Sequence, residues 1–168
     1  MFVLIKVAES ARDLGVILEA QLTMSAHVTA LRRSGFFQLR QLRPFVRSLT
    51  TEAAKTLVQS FISCRLDYCN SLLYGVTDNV MRRVQSLQNA AARLITGARR
   101  RDHITPVLRQ LHWLPVRRRV EFKLACLVRQ ALCGQMPTYL ADDIHLISEV
   151  VILLVVVVVV AVVVVVVV

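Results

Sequence analysis

The clearest helical pattern in the chain is VMRRVQSLQNAAARLITG, residues 80–97. Its apolar side chains recur at helical spacing and therefore share one face: they are Val80, Val84, Leu87, Ala91 and Leu94. Polar side chains share the opposite face: Arg82, Ser86, Asn89 and Arg93. Gly97 follows at a position where glycine commonly ends a helix, because it adopts the left-handed conformation without strain. The stretch predicts an amphipathic helix that buries one face in a core.

Helical patterns continue upstream of this stretch. Thr23 is expected to cap a helix that runs to about Leu42, with Pro44 ending it. Thr50 is expected to cap a second helix whose apolar row continues to Gly75. Both segments place apolar residues three or four positions apart, which is typical of helices that pack on a core.

Two shorter patterns follow downstream. Thr105-Pro106 is expected to cap and open a short helix to Leu111, because proline fits the first helical position. Pro115 is expected to open a fifth helix that stops at Gly134.

The N-terminal part differs from the rest. Residues 2–8 and 14–18 are short runs rich in β-branched side chains, and the polar segment from Glu9 to Asp13 separates them. This pattern predicts a pair of β-strands.

These patterns together predict a mainly α-helical protein. It is a bundle of four or five helices with a small N-terminal β-strand pair, plus an apolar C-terminal segment. We divide the chain into a strand pair at residues 1–22, a basic helical domain at 23–134, an acidic linker at 135–149 and a low-complexity valine-rich segment at 150–168.

The charge is concentrated in the middle of the chain. The formal net charge is +10, and residues 32–129 hold 19 basic and 5 acidic side chains. Most of the basic side chains are arginines, whose planar forks bind phosphate through two hydrogen bonds. This balance favours a polyanionic partner, and the simpler alternative is a set of solvated helix faces.

Arginines also recur at informative spacings. Arg33, Arg40 and Arg47 are seven residues apart with Arg43 between them, so they can share one helix face. Two triplets follow: Arg99, Arg100 and Arg101 after Gly97, and Arg117, Arg118 and Arg119 in the first turn of the fifth helix. A helix N-terminus disfavours cations, so an anionic partner such as phosphate would explain the second triplet. The alternative is that Glu121 pairs with Arg117 and Arg118.

Residues that could support catalysis or metal binding are sparse. The cysteines, Cys64, Cys69, Cys126 and Cys133, do not have the spacing of zinc ligands and are expected to be buried free thiols. The four histidines are scattered along the chain. We therefore predict no catalytic residue, no metal site and no cofactor. Free thiols fit a reducing compartment, which is the nucleus or the cytoplasm if the protein is soluble.

The segment from Val150 to Val168 has no polar side chain. All its residues are valine except Ile152, Leu153, Leu154 and Ala161. One interpretation is a translated and partly decayed triplet repeat, since isoleucine, leucine and alanine codons can each lie one base from a valine codon. The other is a single transmembrane segment, because 19 residues at about 1.5 Å each would just cross a bilayer. Acidic rather than basic residues precede the segment, which does not fit the positive-inside pattern.

A series of phrases carries a family resemblance. After LGVIL at residues 14–18 come RLDYCN at 65–70, QNAAAR at 88–93 and LHWLP at 111–115. Over roughly residues 7–149 the chain resembles the region that follows the catalytic palm in LINE-type (non-LTR) retrotransposon reverse transcriptases. The Tyr-x-Asp-Asp metal-binding motif of that palm is absent from these residues.

The resemblance implies a helical thumb and linker that holds a template–primer duplex and contributes to RNA binding. The residues that would inherit this role are arginines: Arg33, Arg40, Arg43, Arg82, Arg93, Arg99, Arg100, Arg101, Arg117, Arg118 and Arg119. The RLDYCN phrase is expected to set helix packing, with Asp67 pairing an arginine.

We therefore expect a truncated, non-catalytic fragment of an RNA-directed DNA polymerase. Its expected partner is RNA or an RNA–DNA duplex, bound through the phosphate backbone without sequence preference, and no small-molecule substrate is expected. One alternative is a membrane-attached basic helical protein that uses residues 150–168 as its anchor. Another is an inert relic whose exposed core faces leave it poorly folded.

Overall fold

The computed structural model describes residues 9–141, with side chains as far as residue 139. The elements are β1 (Ser10–Asp13), β2 (Val16–Glu19), α1 (Ser25–Val46), α2 (Thr51–Asp67), a 3-10 turn (Asn70–Leu73), α3 (Asp78–Thr96), α4 (Ile104–Gln110), α5 (Val116–Leu132) and α6 (Thr138–Ala141). The protein is mainly helical with a small N-terminal antiparallel sheet, so the predicted fold class is confirmed. The valine-rich segment and most of the predicted acidic linker lie outside the described residues.

The strand pair is a tight hairpin that begins later than predicted. β1 pairs with β2 antiparallel, with Asp13 opposite Val16. Leu14 and Gly15 form the two-residue turn and both have positive φ, 43° and 84°, as in the type I′ turns that are common in such hairpins. The predicted first strand at residues 2–8 lies outside the described residues. The segment predicted as its polar connection contains β1 instead, because every β1 side chain is exposed and leaves no apolar signal.

Helix α1 begins after the hairpin and is capped by it. The Glu19 carboxylate accepts a hydrogen bond from the backbone N–H of Ala26 (2.9 Å) and one from the hydroxyl of Thr23. The Thr23 hydrogen bond lowers the pKa of Glu19. The Thr23 hydroxyl also accepts from the backbone N–H of Ser25 (3.3 Å), although Met24 occupies the cap position.

The prediction that Pro44 ends α1 is wrong. The helix continues to Val46 with the proline inside its last turn. A proline so close to the C-terminus removes one hydrogen bond but leaves few later turns to disrupt. Arg43 and Arg47 therefore stay on the helix or at its end.

Helix α2 ends earlier than predicted. Thr50 caps it as predicted, accepting a hydrogen bond from the backbone N–H of Ala53 (3.3 Å). The helix stops at Asp67, and Cys69 then has a left-handed backbone conformation that starts the 3-10 turn. The row that was expected to continue to Gly75 is thus divided between two elements.

Helix α3 is the centre of the core and contacts α1, α2, α4 and α5. Its buried side chains include the predicted Val80, Val84, Leu87 and Ala91. Gly97 ends it in the left-handed conformation, as predicted, and its N–H bonds the carbonyl of Arg93. The same core includes Val16 from the hairpin and Val116 from α5, so the described residues share one hydrophobic interior.

Gly35 brings α1 against α3. A Cβ atom added at Gly35 would lie 2.5 Å from a methyl carbon of Leu87, which is shorter than a van der Waals contact allows. Farther along, Leu39 and Val46 of α1 lie beside Ala90 and Gly97 of α3 and its end. The two helices therefore run in the same direction, with their C-terminal ends together.

The last helices largely match the sequence pattern. His103, rather than Thr105, occupies the cap position of α4, so the predicted cap is wrong by two residues. Pro115 opens α5 and Gly134 follows it with positive φ, as predicted.

Candidate nucleic-acid interface

A groove between α1 and α3 collects several of the predicted arginines. It encloses about 540 Å³. Its basic side chains are Arg40, Arg43, Arg47 and Arg93, and its apolar side chains include Phe36, Leu39 and Leu94. The guanidinium groups can bind phosphate, while the apolar side chains present a surface on which a base or sugar can lie.

The groove arginines on α1 are not neutralised by neighbours. Between Glu19 and Glu52 the sequence has no acidic residue, and between Asp78 and Asp102 it again has none. Among the residues that the structure describes, none of the ion pairs or side-chain hydrogen bonds involves Arg40, Arg43 or Arg47. Their charges therefore remain available to an anionic partner.

Arg93 fixes the loop that follows α3. Its Nε donates to the carbonyl oxygen of Arg99 (3.3 Å) and its Nη2 to that of Asp102 (3.4 Å). The Asp102 carboxylate accepts a hydrogen bond from the backbone N–H of Arg99 (2.6 Å). The loop is thus held beside Gly97 and Ala98 at the end of the groove. Arg99, Arg100 and Arg101 are exposed there.

Arg33 lies at the other end of the same helix pair. It lines a hollow of about 300 Å³ together with Arg32, Phe36 and Arg83. The Arg32 guanidinium lies 5.5 Å from the centre of the Phe36 ring, within reach of a cation–π interaction. Phe36 borders both this hollow and the groove, so arginines follow the α1–α3 pair along most of its length.

Arg82 is exposed on α3 and lines neither cavity. Arg82 and Arg93 are eleven residues apart, which places them on one face about 16 Å from each other. Sequence reasoning missed Arg83 as a companion of Arg33, because only the packing of α3 against α1 brings the two together.

The second arginine triplet is not part of the groove, and each member contacts an acid. Arg118 pairs with Glu121 (2.7 Å), which the spacing had offered as the alternative. Arg117 pairs with Asp78 at the start of α3. Arg119 pairs with Asp67 through both carboxylate oxygens, at 2.8 and 2.9 Å. The expected pairing of Asp67 with an arginine is therefore observed.

The carbonyl oxygen of Leu114 lies where three of the phrases named above meet, namely RLDYCN, QNAAAR and LHWLP. It accepts hydrogen bonds from Gln88 Nε2 (2.7 Å) and Arg119 Nε (3.0 Å). Because Arg119 also holds Asp67, the segments around Asp67, Gln88 and Leu114 meet at one point.

A second glutamine completes this junction. Gln85 Nε2 donates to Gln88 Oε1 (2.9 Å), and Gln85 Oε1 accepts from the backbone N–H of Val116 (2.8 Å). The first N–H of α5 thus obtains a partner that the helix itself does not supply. Sequence reasoning assigned no role to Gln85 or Gln88.

The cysteines are free, but the prediction that they are buried is wrong. Cys64 and Cys133 are exposed, and Cys69 and Cys126 are half-buried. Within residues 9–141 no group of three or more histidine, cysteine or acidic side chains is placed to hold a metal ion.

In the described part of the chain, no helix is both long enough and apolar enough to cross a bilayer. Residues 150–168 lie outside that part, so the transmembrane interpretation of the valine-rich segment stays a prediction.

Comparisons with protein-family models, with curated proteins and with solved structures found no match to this chain.

Proposed function

We propose that this chain binds the phosphate backbone of RNA or of an RNA–DNA duplex, without sequence preference, along the α1–α3 groove. The observation that carries the proposal is that Arg40, Arg43 and Arg47 converge with Arg93 on one groove. The simpler alternative is that these arginines only keep a helix face solvated. It would not require them to converge with Arg93, which lies far away in the sequence.

The row of arginines along α1, from Arg33 to Arg47, has a length that suits a nucleic-acid strand. Arg33 and Arg47 are fourteen residues apart, which corresponds to about 21 Å along a helix. At about 3.4 Å per nucleotide of one duplex strand, this length matches about six nucleotides. The exposed triplet Arg99–Arg101 extends the positive surface beyond the end of α1. By contrast, Arg117, Arg118 and Arg119 each form an ion pair with an acidic side chain, so the proposal leaves them out of the phosphate-binding surface.

We further infer an origin in the region that follows the palm of LINE-type reverse transcriptases. The support is the sequence resemblance, together with the way its phrases contact one another. Tyr68 donates a hydrogen bond to the carbonyl of Leu14, and Leu114 links Gln88 to Arg119 and Asp67. If this chain shares its fold with that region, the segments that contact one another in the fold are the ones whose sequence should be retained. On this proposal the chain holds nucleic acid and does not itself polymerise.

The test is a salt series of binding to a short RNA–DNA hybrid, measured by fluorescence anisotropy with the full chain. From about 50 mM to about 200 mM salt the logarithm of the association constant should fall linearly with the logarithm of the salt concentration. Replacing Arg40, Arg43 and Arg47 together with glutamine should make the slope shallower by about 2.7, if each arginine contacts one phosphate. These side chains are exposed, and glutamine has a helix propensity close to that of arginine, so the fold should persist.

The matched control replaces Arg117, Arg118 and Lys123 with glutamine. It removes the same charge from α5 and leaves Arg119 in place. Its slope should stay within about 1 of the wild-type slope. Equal changes in both variants would show that net charge alone drives binding and would contradict the groove proposal. A folded wild-type chain that does not bind at the lowest salt would instead support an inert relic.

A further inference from the structure

A second hollow lies on another side of α1, between the hairpin and α2. It encloses about 340 Å³, which is within the usual range for small-ligand sites. Its lining includes Arg12 from β1, His27 and Ser34 from α1, and Cys64, Arg65 and Tyr68 from α2 and its end. None of its lining residues lines the α1–α3 groove. The residues of the hollow can therefore be varied without changing those of the groove.

His27 lines this hollow and can supply a hydrogen-bond donor. Its Nδ1 accepts a hydrogen bond from the backbone N–H of Ile17 (3.3 Å). In the neutral ring the proton must then sit on Nε2. Burial lowers the pKa of His27, and the nearby Arg12 guanidinium lowers it further, so the neutral ring predominates near pH 7.

The charged side chains that line the hollow, Arg12 and Arg65, are both positive. Among the residues 9–139 whose side chains are described, no carboxylate lines it. Two acidic residues near the lining residues in the sequence have other partners: Glu19 binds Thr23 and Ala26, and Asp67 binds Arg119. Asp13 follows Arg12 directly, and after the hydrogen bond with Cys69 its charge also raises the pKa of Tyr68, so one negative charge lies near this side of the hollow. Neither Arg12 nor Arg65 takes part in any of the ion pairs in the described residues.

Tyr68 closes one side of the hollow. Its hydroxyl donates to the carbonyl of Leu14, which fixes the side chain against the hairpin turn. The ring lies beside Gly15, where even an added Cβ atom would make only an ordinary contact, at 3.8 Å, with the ring carbon Cε1. Because the Tyr68 hydroxyl is engaged, the two arginines, His27 and Ser34 are left as the charged and hydrogen-bonding groups of the hollow.

We propose that this hollow binds a phosphate monoester group. Arg12 and Arg65 would contribute bidentate hydrogen bonds to the phosphate oxygens, and His27 Nε2 and the Ser34 hydroxyl would donate further ones. The same group occurs on a free nucleotide and at the phosphorylated 5′ end of a nucleic-acid strand.

The first experiment titrates the isotopically labelled full chain with inorganic phosphate and follows its backbone amide signals by NMR. Saturable shifts centred on Gly15, Ile17 and Ser34 are expected. Replacing Arg12 and Arg65 together with glutamine should weaken binding by about tenfold or more, because charge-assisted hydrogen bonds are lost. A control that replaces Arg118 and Lys123 removes equal charge elsewhere and should bind as the wild type does.

Two outcomes would overturn the proposal. One is a set of shifts that grow linearly with phosphate and are reproduced by chloride. The other is an unchanged affinity in the double variant. Circular dichroism of each variant checks the fold, and Arg12→Gln alone, at an exposed strand position, provides a milder variant if the double one unfolds.

A competition experiment distinguishes the two sources of phosphate. The probes are adenosine 5′-monophosphate and one oligonucleotide with either a 5′-phosphate or a 5′-hydroxyl end. Displacement of inorganic phosphate by the mononucleotide alone would identify a free-nucleotide site. Displacement by the phosphorylated but not the hydroxyl oligonucleotide would identify a strand-end site. Equal displacement by both oligonucleotides would show that internal backbone phosphates suffice and would contradict a monoester site.

Discussion

Replacing Gly35 with valine is expected to lower the free energy of unfolding by about 3 kcal/mol, toward the upper part of the range for overpacked cores. Even a single added Cβ atom would lie 2.5 and 2.8 Å from the two methyl carbons of Leu87. Leu87 is fully buried and has little room to move. Since domains of this size are stable by only about 5–15 kcal/mol, the loss is large. Urea unfolding of the full chain, followed by circular dichroism, measures it.

The alanine variant separates packing from helix propensity. Alanine favours a helix interior over glycine by about 1 kcal/mol, so without the contact Gly35→Ala would stabilise the protein. We expect it to destabilise instead. Gln41→Val, on the exposed side of α1, controls for a β-branched residue in this helix and should cost less than about 1 kcal/mol.

A double-mutant cycle tests whether Leu87 is the cause. Leu87→Ala alone should cost about 2–5 kcal/mol, because it leaves a cavity. Combined with Gly35→Ala it should cost less than the sum of the two, since the added methyl group fills space that the leucine vacated. Strict additivity, or a Gly35→Ala variant that is more stable than the wild type, would contradict the prediction and show that Leu87 or the two helices adjust at little cost.

Sequence reasoning succeeded where the determinants are local. The apolar row and the final glycine of α3 are properties of consecutive turns, and both Thr50 and Gly97 act within a few residues of their own positions. It failed at Pro44, because the cost of a proline depends on how much helix follows it. It also failed at β1, because an exposed strand has no hydrophobic alternation and the Leu14-Gly15 turn carries the information instead.

For the candidate interface, too, the sequence predicts features within one helix but not contacts between helices. Arg40, Arg43 and Arg47 line one groove, as their spacing indicates, whereas Arg33 of the same predicted row lines a separate hollow. That Arg93 joins them depends on the close packing of α1 on α3, which Gly35 allows.

The ion pairs of Arg117–Arg119 could be predicted only in part. The spacing offered Glu121 as a partner for Arg118, and Asp67 was expected to pair with an unspecified arginine. Arg117 and Arg119 pair with acids 39 and 52 residues away in the sequence. No pattern within α5 could indicate that these charges are already matched.

Replacing Gln88 with methionine is expected to lower the free energy of unfolding by about 2 kcal/mol, because buried hydrogen bonds are lost. The side chain is 0% exposed and bonds both the carbonyl oxygen of Leu114 and the amide of Gln85. Methionine has similar length, so the change removes polar contacts without opening a large cavity. The loss stays moderate because Leu114 keeps its bond from Arg119 and Gln85 keeps its bond to Asn89.

The location of the effect distinguishes this mechanism from general destabilisation. Gln85 would lose a partner that orients it toward the N–H of Val116, so amide exchange at Val116 should accelerate more than exchange in α2. Trp113, the single tryptophan and a buried neighbour of Leu114, should report the same loosening by fluorescence.

The control variant is Gln59→Met, at an exposed position of α2, which should change stability by less than about 0.5 kcal/mol. If Gln88→Met unfolds like the wild type and Val116 exchanges at its normal rate, the glutamine pair does not hold the junction. The contacts between the three phrases would then rest on apolar packing and on the Arg119–Asp67 pair.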